Sequence, residues 1–121
     1  MLNEKQRSLA QVAPKVFLEQ FRLLRLRAEN ELGRADFWQS CDISKEYCAE
    51  CVKRARELVT LESDIANALY TAEIKDEYKT FLHLRYIECL TINEISARMH
   101  LARRWLQRLQ NKALSAFSSA L

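Results

Sequence analysis

Residues 91–117, TINEISARMHLARRWLQRLQNKALSAF, decide how this chain folds. Thr91 is a strong N-cap residue and Glu94 follows three positions later. Thr91-Ile92-Asn93-Glu94 is therefore a capping box that starts a helix at a defined place. Apolar residues then fall at Ile95, Met99, Leu101, Leu106 and Leu109, and Ser96 is small where two crossing helices must approach closely. A short helix, a turn of about three or four residues and a longer helix make the helix-turn-helix plan. In that plan the second helix lies in the DNA major groove and the first crosses the backbone.

The charge distribution agrees with this reading. Residues 97–121 contain Arg98, Arg103, Arg104, Arg108 and Lys112 and no Asp or Glu, while the whole chain carries a formal charge of only +3. The positive field is concentrated on the last helix, as a phosphate-binding surface requires. A solvated face at a helix C-terminus would also favour basic residues. That alternative leaves Arg103 and Arg104 unexplained, because they stand at the N-terminal end, where positive charge is unfavourable. The spacing predicts a recognition helix over residues 102–117. Arg103, Arg104, Gln107 and Arg108 are its candidate base readers, since Arg matches guanine and Gln matches adenine bidentately. Arg98 and Lys112 are the candidate phosphate contacts. Trp105 either wedges against the sugar-phosphate backbone or packs on a supporting helix, and packing is the expected outcome. His83 and His100 read as a helix-surface residue and a turn residue.

Working outward, Asp76 is read as a cap for a supporting helix through Ile87, with Tyr78, Phe81, Leu82, Leu84, Arg85, Tyr86 and Ile87 as its bulky face. The expected core of this unit is Phe81, Ile87, Ile95, Met99, Leu106 and Leu109. Further upstream, Cys48, Cys51, Ala55, Leu58, Glu62, Ile65 and Leu69 step by three and four residues, a helical seam broken only by Glu62. Asp42 or Ser44 is expected to cap this helix, which should run to about Ala72. A break is expected over residues 71–75. Pro14 suits a helix start. Phe17, Phe21, Leu24, Ala28 and Leu32 share a face, and Gly33 is the expected stop. Residues 34–42 then form a connection from which Phe37 and Trp38 close over a core, and residues 1–13 are expected to be frayed or weakly helical.

The chain has 121 residues, 49% of them hydrophobic, with Gly33 and Pro14 the only residues of their types. No alternating strand pattern with turn signals is present. The expectation is an all-α chain. An N-terminal long-helix hairpin or coiled-coil-like region (residues 1–72) serves oligomerisation or partner binding. A three-helix, helix-turn-helix domain (residues 73–121) follows. No apolar run reaches the length of a membrane span and no signal-peptide core is visible, so a cytoplasmic protein is expected. Cys48-Ala-Glu-Cys51 has the spacing of a metal or redox pair. It occurs once, in no zinc pattern, and the helical seam accounts for both thiols, so no metal and no cofactor are expected. No catalytic constellation is present, and an enzyme is not expected.

Residues 78–117, YKTFLHLRYIECLTINEISARMHLARRWLQRLQNKALSAF, resemble the region-four helix-turn-helix of bacterial primary sigma factors. They are more similar to the small phage-encoded RinA/ArpU-like regulators that share that domain. The elements that match are LRYIECLTINEIS, the arginine after the turn at Leu101-Ala102-Arg103, and the tail Lys112-Ala113-Leu114. The resemblance implies transcriptional control through double-stranded DNA, with Arg103, Arg104 and Arg108 at promoter-contacting positions and RNA polymerase as a further partner. It also implies glycine-like backbone at Cys89 and His100, where such domains often have Gly, and an N-cap lost at Ala102, where they have Ser or Thr. Arg104 stands where sigma factors commonly carry an acidic residue, so the base preference should differ. The N-terminal helices are expected to form a homodimer, since two half-sites add effective concentration. The alternative is an adaptor that binds RNA polymerase, or serves phage DNA packaging, through helical protein contacts.

Overall fold

The computed structural model describes residues 2–41 and 45–121, apart from the side chains of residues 38, 40 and 41. These residues form α1 (Glu4–Val12), α2 (Pro14–Cys41), α3 (Lys45–Thr71), α4 (Asp76–Leu82), a π-helical turn (His83–Ile87), α5 (Ile92–Met99) and α6 (Arg103–Ser119). No strand occurs among them. The all-α expectation holds, with a long hairpin followed by the helix-turn-helix.

Of the two states expected for the N-terminal segment, the helical one is present. Asn3 caps α1 by accepting from the Gln6 amide at 2.9 Å. Ala10 is fully buried. Gln11 Nε2 donates to the Leu121 carbonyl at 2.7 Å, and Ser118 Oγ donates to the Gln11 carbonyl at 2.5 Å. The two ends of the chain are thus tied together. Pro14 opens α2, as its fixed φ favours.

Gly33 does not end α2. The helix continues to Cys41, so residues 34–41 are helical rather than a connection. A glycine inside a helix costs about 1 kcal/mol relative to alanine. Packing against α3 on both sides of it outweighs that. Ala28 and Ala35 are buried on α2 and Cys51 and Ala55 on α3. Cross-links at Arg25–Glu62 (3.6 Å), Glu31–Arg54 (3.3 Å) and the Cys48 thiol to the Ala35 carbonyl (3.4 Å) show that the two helices run antiparallel. The long-helix hairpin is therefore the form this region takes. Phe37 does not close over a core and is 59% exposed. The expected caps Asp42 and Ser44, and the Trp38 side chain, lie outside the described residues.

The seam predicted on α3 is the buried one. Cys51, Ala55, Ile65 and Leu69 are buried and Cys48, Leu58 and Glu62 partly so. Helix α3 ends at Thr71 and the expected break follows. Asp76 is not the cap of α4. Lys75 holds the N-cap position with no side-chain hydrogen bond, and Asp76 is the first helical residue, where a carboxylate still favours the dipole.

One apolar core joins the base of the hairpin to the other helices, while Ala28, Ala35, Cys51 and Ala55, buried further along the hairpin, lie outside it. Phe17, Leu18 and Phe21 of α2, Ile65 and Leu69 of α3, Phe81 and Leu82 of α4, Ile95 of α5, and Leu106 and Phe117 of α6 are buried in a single cluster. Of the core expected for the C-terminal unit, Phe81, Ile95, Leu106 and Leu109 are buried, while Ile87 and Met99 pack at its edge.

Candidate nucleic-acid interface

Local chemistry sets the start of α5. Thr91 Oγ1 accepts from the Glu94 amide at 3.2 Å, and Glu94 Oε1 accepts from the Thr91 amide at 3.2 Å. Both halves of the predicted capping box are formed. Upstream, the backbone widens into a π turn, with the Glu88 amide bonding the His83 carbonyl at 3.0 Å. Cys89 then adopts φ 58°, and the Leu90 amide returns to the Leu84 carbonyl at 3.0 Å. Arg85 Nη1 donates to the Leu90 carbonyl at 2.9 Å and holds this turn against the supporting helix.

The turn between α5 and α6 is residues 100–102. His100 is left-handed, at φ 56° and ψ 40°. Cys89 and His100 are the two positive-φ residues among those described, at the two positions expected to need glycine-like backbone. Ser96 does more than make room. Its hydroxyl donates to the Leu101 carbonyl at 2.5 Å, and its own carbonyl accepts from the Leu101 amide at 3.3 Å. The turn is thereby locked from within α5. Ala102 is extended at the head of α6 and offers no side-chain cap, as expected.

Helix α6 buries Leu106, Leu109, Ala113, Leu114 and Phe117 against the core. The opposite face carries Arg104, Gln107, Arg108 and Asn111, at helical spacing and all exposed. Arg103 points about 100° around the helix from Arg104. It is exposed too, as is Lys112. No acidic residue lies in the first turn to neutralise the two arginines. Among the described residues, no ion pair engages Arg103, Arg104, Arg108 or Lys112.

Arg98, on the last turn of α5, is placed differently. Its Nη1 lies 3.7 Å from Glu88, whose carboxylate also stands 3.5 Å from His83 Nε2. His83 Nδ1 in turn meets the Tyr70 hydroxyl at 3.0 Å. His83 is a helix-surface residue, as expected, and belongs to a surface network with Tyr70 and Glu88. Of the six candidate contacts, five stand on α6, and Arg98 is held to the π turn.

Trp105 does not pack on the supporting helix. It is 59% exposed, and the Arg108 guanidinium lies 5.6 Å from its ring centroid. No local signal distinguishes an exposed tryptophan from a buried one at that position. Asn111 was not among the expected contacts, although helical spacing could have found it, one turn beyond the Arg104–Gln107–Arg108 stripe.

Among the described residues, no group of three or more His, Cys, Asp or Glu stands together as a metal site. Cys51 is buried beside Arg54, whose Nη2 lies 3.4 Å from its sulfur, and Cys48 bonds the α2 backbone. No helix among the described residues is long and apolar enough to cross a membrane. No protein-family model matches this chain, and no curated protein or solved structure matches it significantly.

Proposed function

We propose that this chain is a sequence-specific double-stranded DNA-binding regulator of transcription, of the kind encoded by phages and prophages, that presents α6 to the major groove. One observation carries the reading. The N-terminal half of α6 exposes Arg103, Arg104, Gln107 and Arg108 on a helix whose other face is anchored in the core, directly after a capped short helix and a three-residue turn. A protein with that role works in the cytoplasm without a cofactor. Base edges are read by Arg104, Gln107 and Arg108, and Arg103 and Lys112 engage phosphates on either flank. Arg98 reaches a phosphate by exchanging Glu88 for it.

Fluorescence anisotropy on duplex DNA across a salt series tests this. Wild-type affinity is expected to fall steeply with salt. The double variant Arg103→Glu, Arg104→Glu is expected to lose binding, because it removes the Arg103 phosphate contact, worth about 0.9 in the salt slope, together with the Arg104 base contact, and each reversal adds repulsion. Equal binding by the two proteins would sink the assignment.

A second reading has one observation in its favour. An exposed Trp105 with Arg108 stacked on it matches the side chains that anchor protein interfaces. On that reading α6 docks on RNA polymerase or on a packaging partner, and the Trp105→Ala variant loses polymerase capture while neither protein shifts DNA.

A further inference from the structure

One face of α2 is not covered by another helix among the described residues, and its N-terminal half forms one wall of an open groove whose other wall is Arg85, Tyr86 and Cys89. Val16, Leu23, Leu26 and Phe37 are 50%, 60%, 46% and 59% exposed. With Glu19, Asn30 and Gly33 they step alternately by three and four residues, the spacing of a coiled-coil seam. Phe17, Phe21, Ala28 and Ala35, which are buried, lie on the other side of the same helix. Helix α2 therefore carries two seams, and the hairpin uses one of them. From Val16 to Phe37 the open seam runs about 32 Å along the axis.

The charges beside the two seams differ. Towards α3 they are satisfied within the chain, by Arg25–Glu62 and Glu31–Arg54. Along the flank of the open seam stand Lys15, Arg22, Glu29 and Asp36, each seven residues from the next. Lys15 makes one long contact, 3.9 Å to Glu19, and among the described residues no ion pair engages the other three. Their order is plus, plus, minus, minus. Reversed end to end, that order is its own complement.

We propose that this face of α2 is a self-association surface, occupied by α2 of a second copy running antiparallel about a two-fold axis at Leu26. In that register Leu26 meets the partner's Leu26, and Val16 meets the partner's Phe37. Lys15 faces the partner's Asp36 and Arg22 faces the partner's Glu29, each pair occurring twice by symmetry. Nothing stands within 4 Å of where a Cβ of Gly33 would lie, so the partner's Glu19 has room to turn its carboxylate outward there. A parallel pair would set Arg22 against the partner's Arg27 and Glu29 against the partner's Arg34, so repulsion offsets attraction. The antiparallel pair opposes like charges once, Arg27 with the partner's Arg27 beside the axis, against the attractive pairs named above. Helix α2 is already ordered by α3, so association does not repeat the cost of folding it. The proposal goes beyond the DNA reading and does not rest on it.

Sedimentation equilibrium of the full chain without DNA is the test. Wild type is expected to be a dimer. The Leu23→Glu, Leu26→Glu variant is expected to be a monomer with unchanged helical circular dichroism, since both positions are exposed. Arg22→Glu and Glu29→Arg should each weaken the dimer roughly tenfold, and the two combined should restore it, because each single change turns two attractions into repulsions. A monomeric wild type overturns the proposal, and so does a dimer indifferent to the Leu23 and Leu26 changes. Strengthening by Arg22→Glu, or failure of the double swap to rescue, overturns the antiparallel register. DNA binding is read separately, so either idea can fail alone.

Discussion

The rings of Phe17 and Phe117 stack with centroids 5.9 Å apart and planes inclined by 28°, and both residues are fully buried. This contact joins the first turn of α2 to the last turns of α6. Helix α6 is thus held by the N-terminal hairpin as well as by its own three-helix unit. Phe117→Ala is expected to cost about 3–5 kcal/mol, the range for a buried aromatic truncated in a close-packed core. Because the core is continuous, hairpin and helix-turn-helix should unfold together. Urea denaturation followed by far-UV circular dichroism checks both points: a single transition is expected, and a biphasic one would show the two regions to be independent.

The left-handed His100 strains the turn that positions α6. A non-glycine residue there costs about 1–2 kcal/mol, part of which glycine returns in the entropy of the unfolded chain. His100→Gly should therefore raise stability by about 1 kcal/mol or less. Ser96→Ala should lower it by about 1 kcal/mol, because the hydroxyl no longer bonds the Leu101 carbonyl. Chemical denaturation of the two variants should show shifts of opposite sign.

Gly33 lies inside α2, and a Cβ built there meets nothing within 4 Å. Gly33→Ala should stabilise the fold by roughly 0.5–1 kcal/mol, through helix propensity and a less flexible unfolded chain. A lower melting temperature for this variant would show that α2 does not run through position 33 in solution.

Tyr86 is buried, and its hydroxyl has no hydrogen-bond partner among the described residues. Burial pushes its pKa from the usual 10.0 up to about 12, with the nearby Arg85 opposing and Glu19 assisting. Between those two values the unfolded chain gives up this proton first, so the folded state binds more protons and stability falls as pH rises. The contribution is whole below about pH 10 and is lost as pH approaches about 12. Tyr86→Phe removes both the unpaired hydroxyl and the titration. It should be neutral or stabilising at neutral pH, and should flatten this part of the alkaline decline. Stability measured at about pH 9 and about pH 11 for the two proteins decides it.

The parts legible in the sequence are those whose cause is local. Thr91 and Glu94 cap each other within one turn, so the start of α5 needed no tertiary information. The buried seam through Cys51, Ala55, Ile65 and Leu69 and the basic outer face of α6 follow from helical spacing alone. Glycine-like backbone at Cys89 and His100 came from the resemblance, and the structure places both residues at positive φ.

What only the tertiary structure decided are competitions between a local preference and a distant contact. Gly33 is a plausible helix stop by propensity, but burial of Ala28 and Ala35 against α3 carries α2 past it. The polar stretch before Pro14 reads as frayed or weakly helical, yet Ala10 and the tie from Gln11 to Leu121 dock it on residues more than a hundred positions away. Trp105 has the hydrophobicity to be buried, but Leu106 and Leu109 on the same helix already fill the core, and rotation about the helix leaves the indole outside. Periodicity states which residues share a face. Which face another element covers is determined by packing across the whole chain.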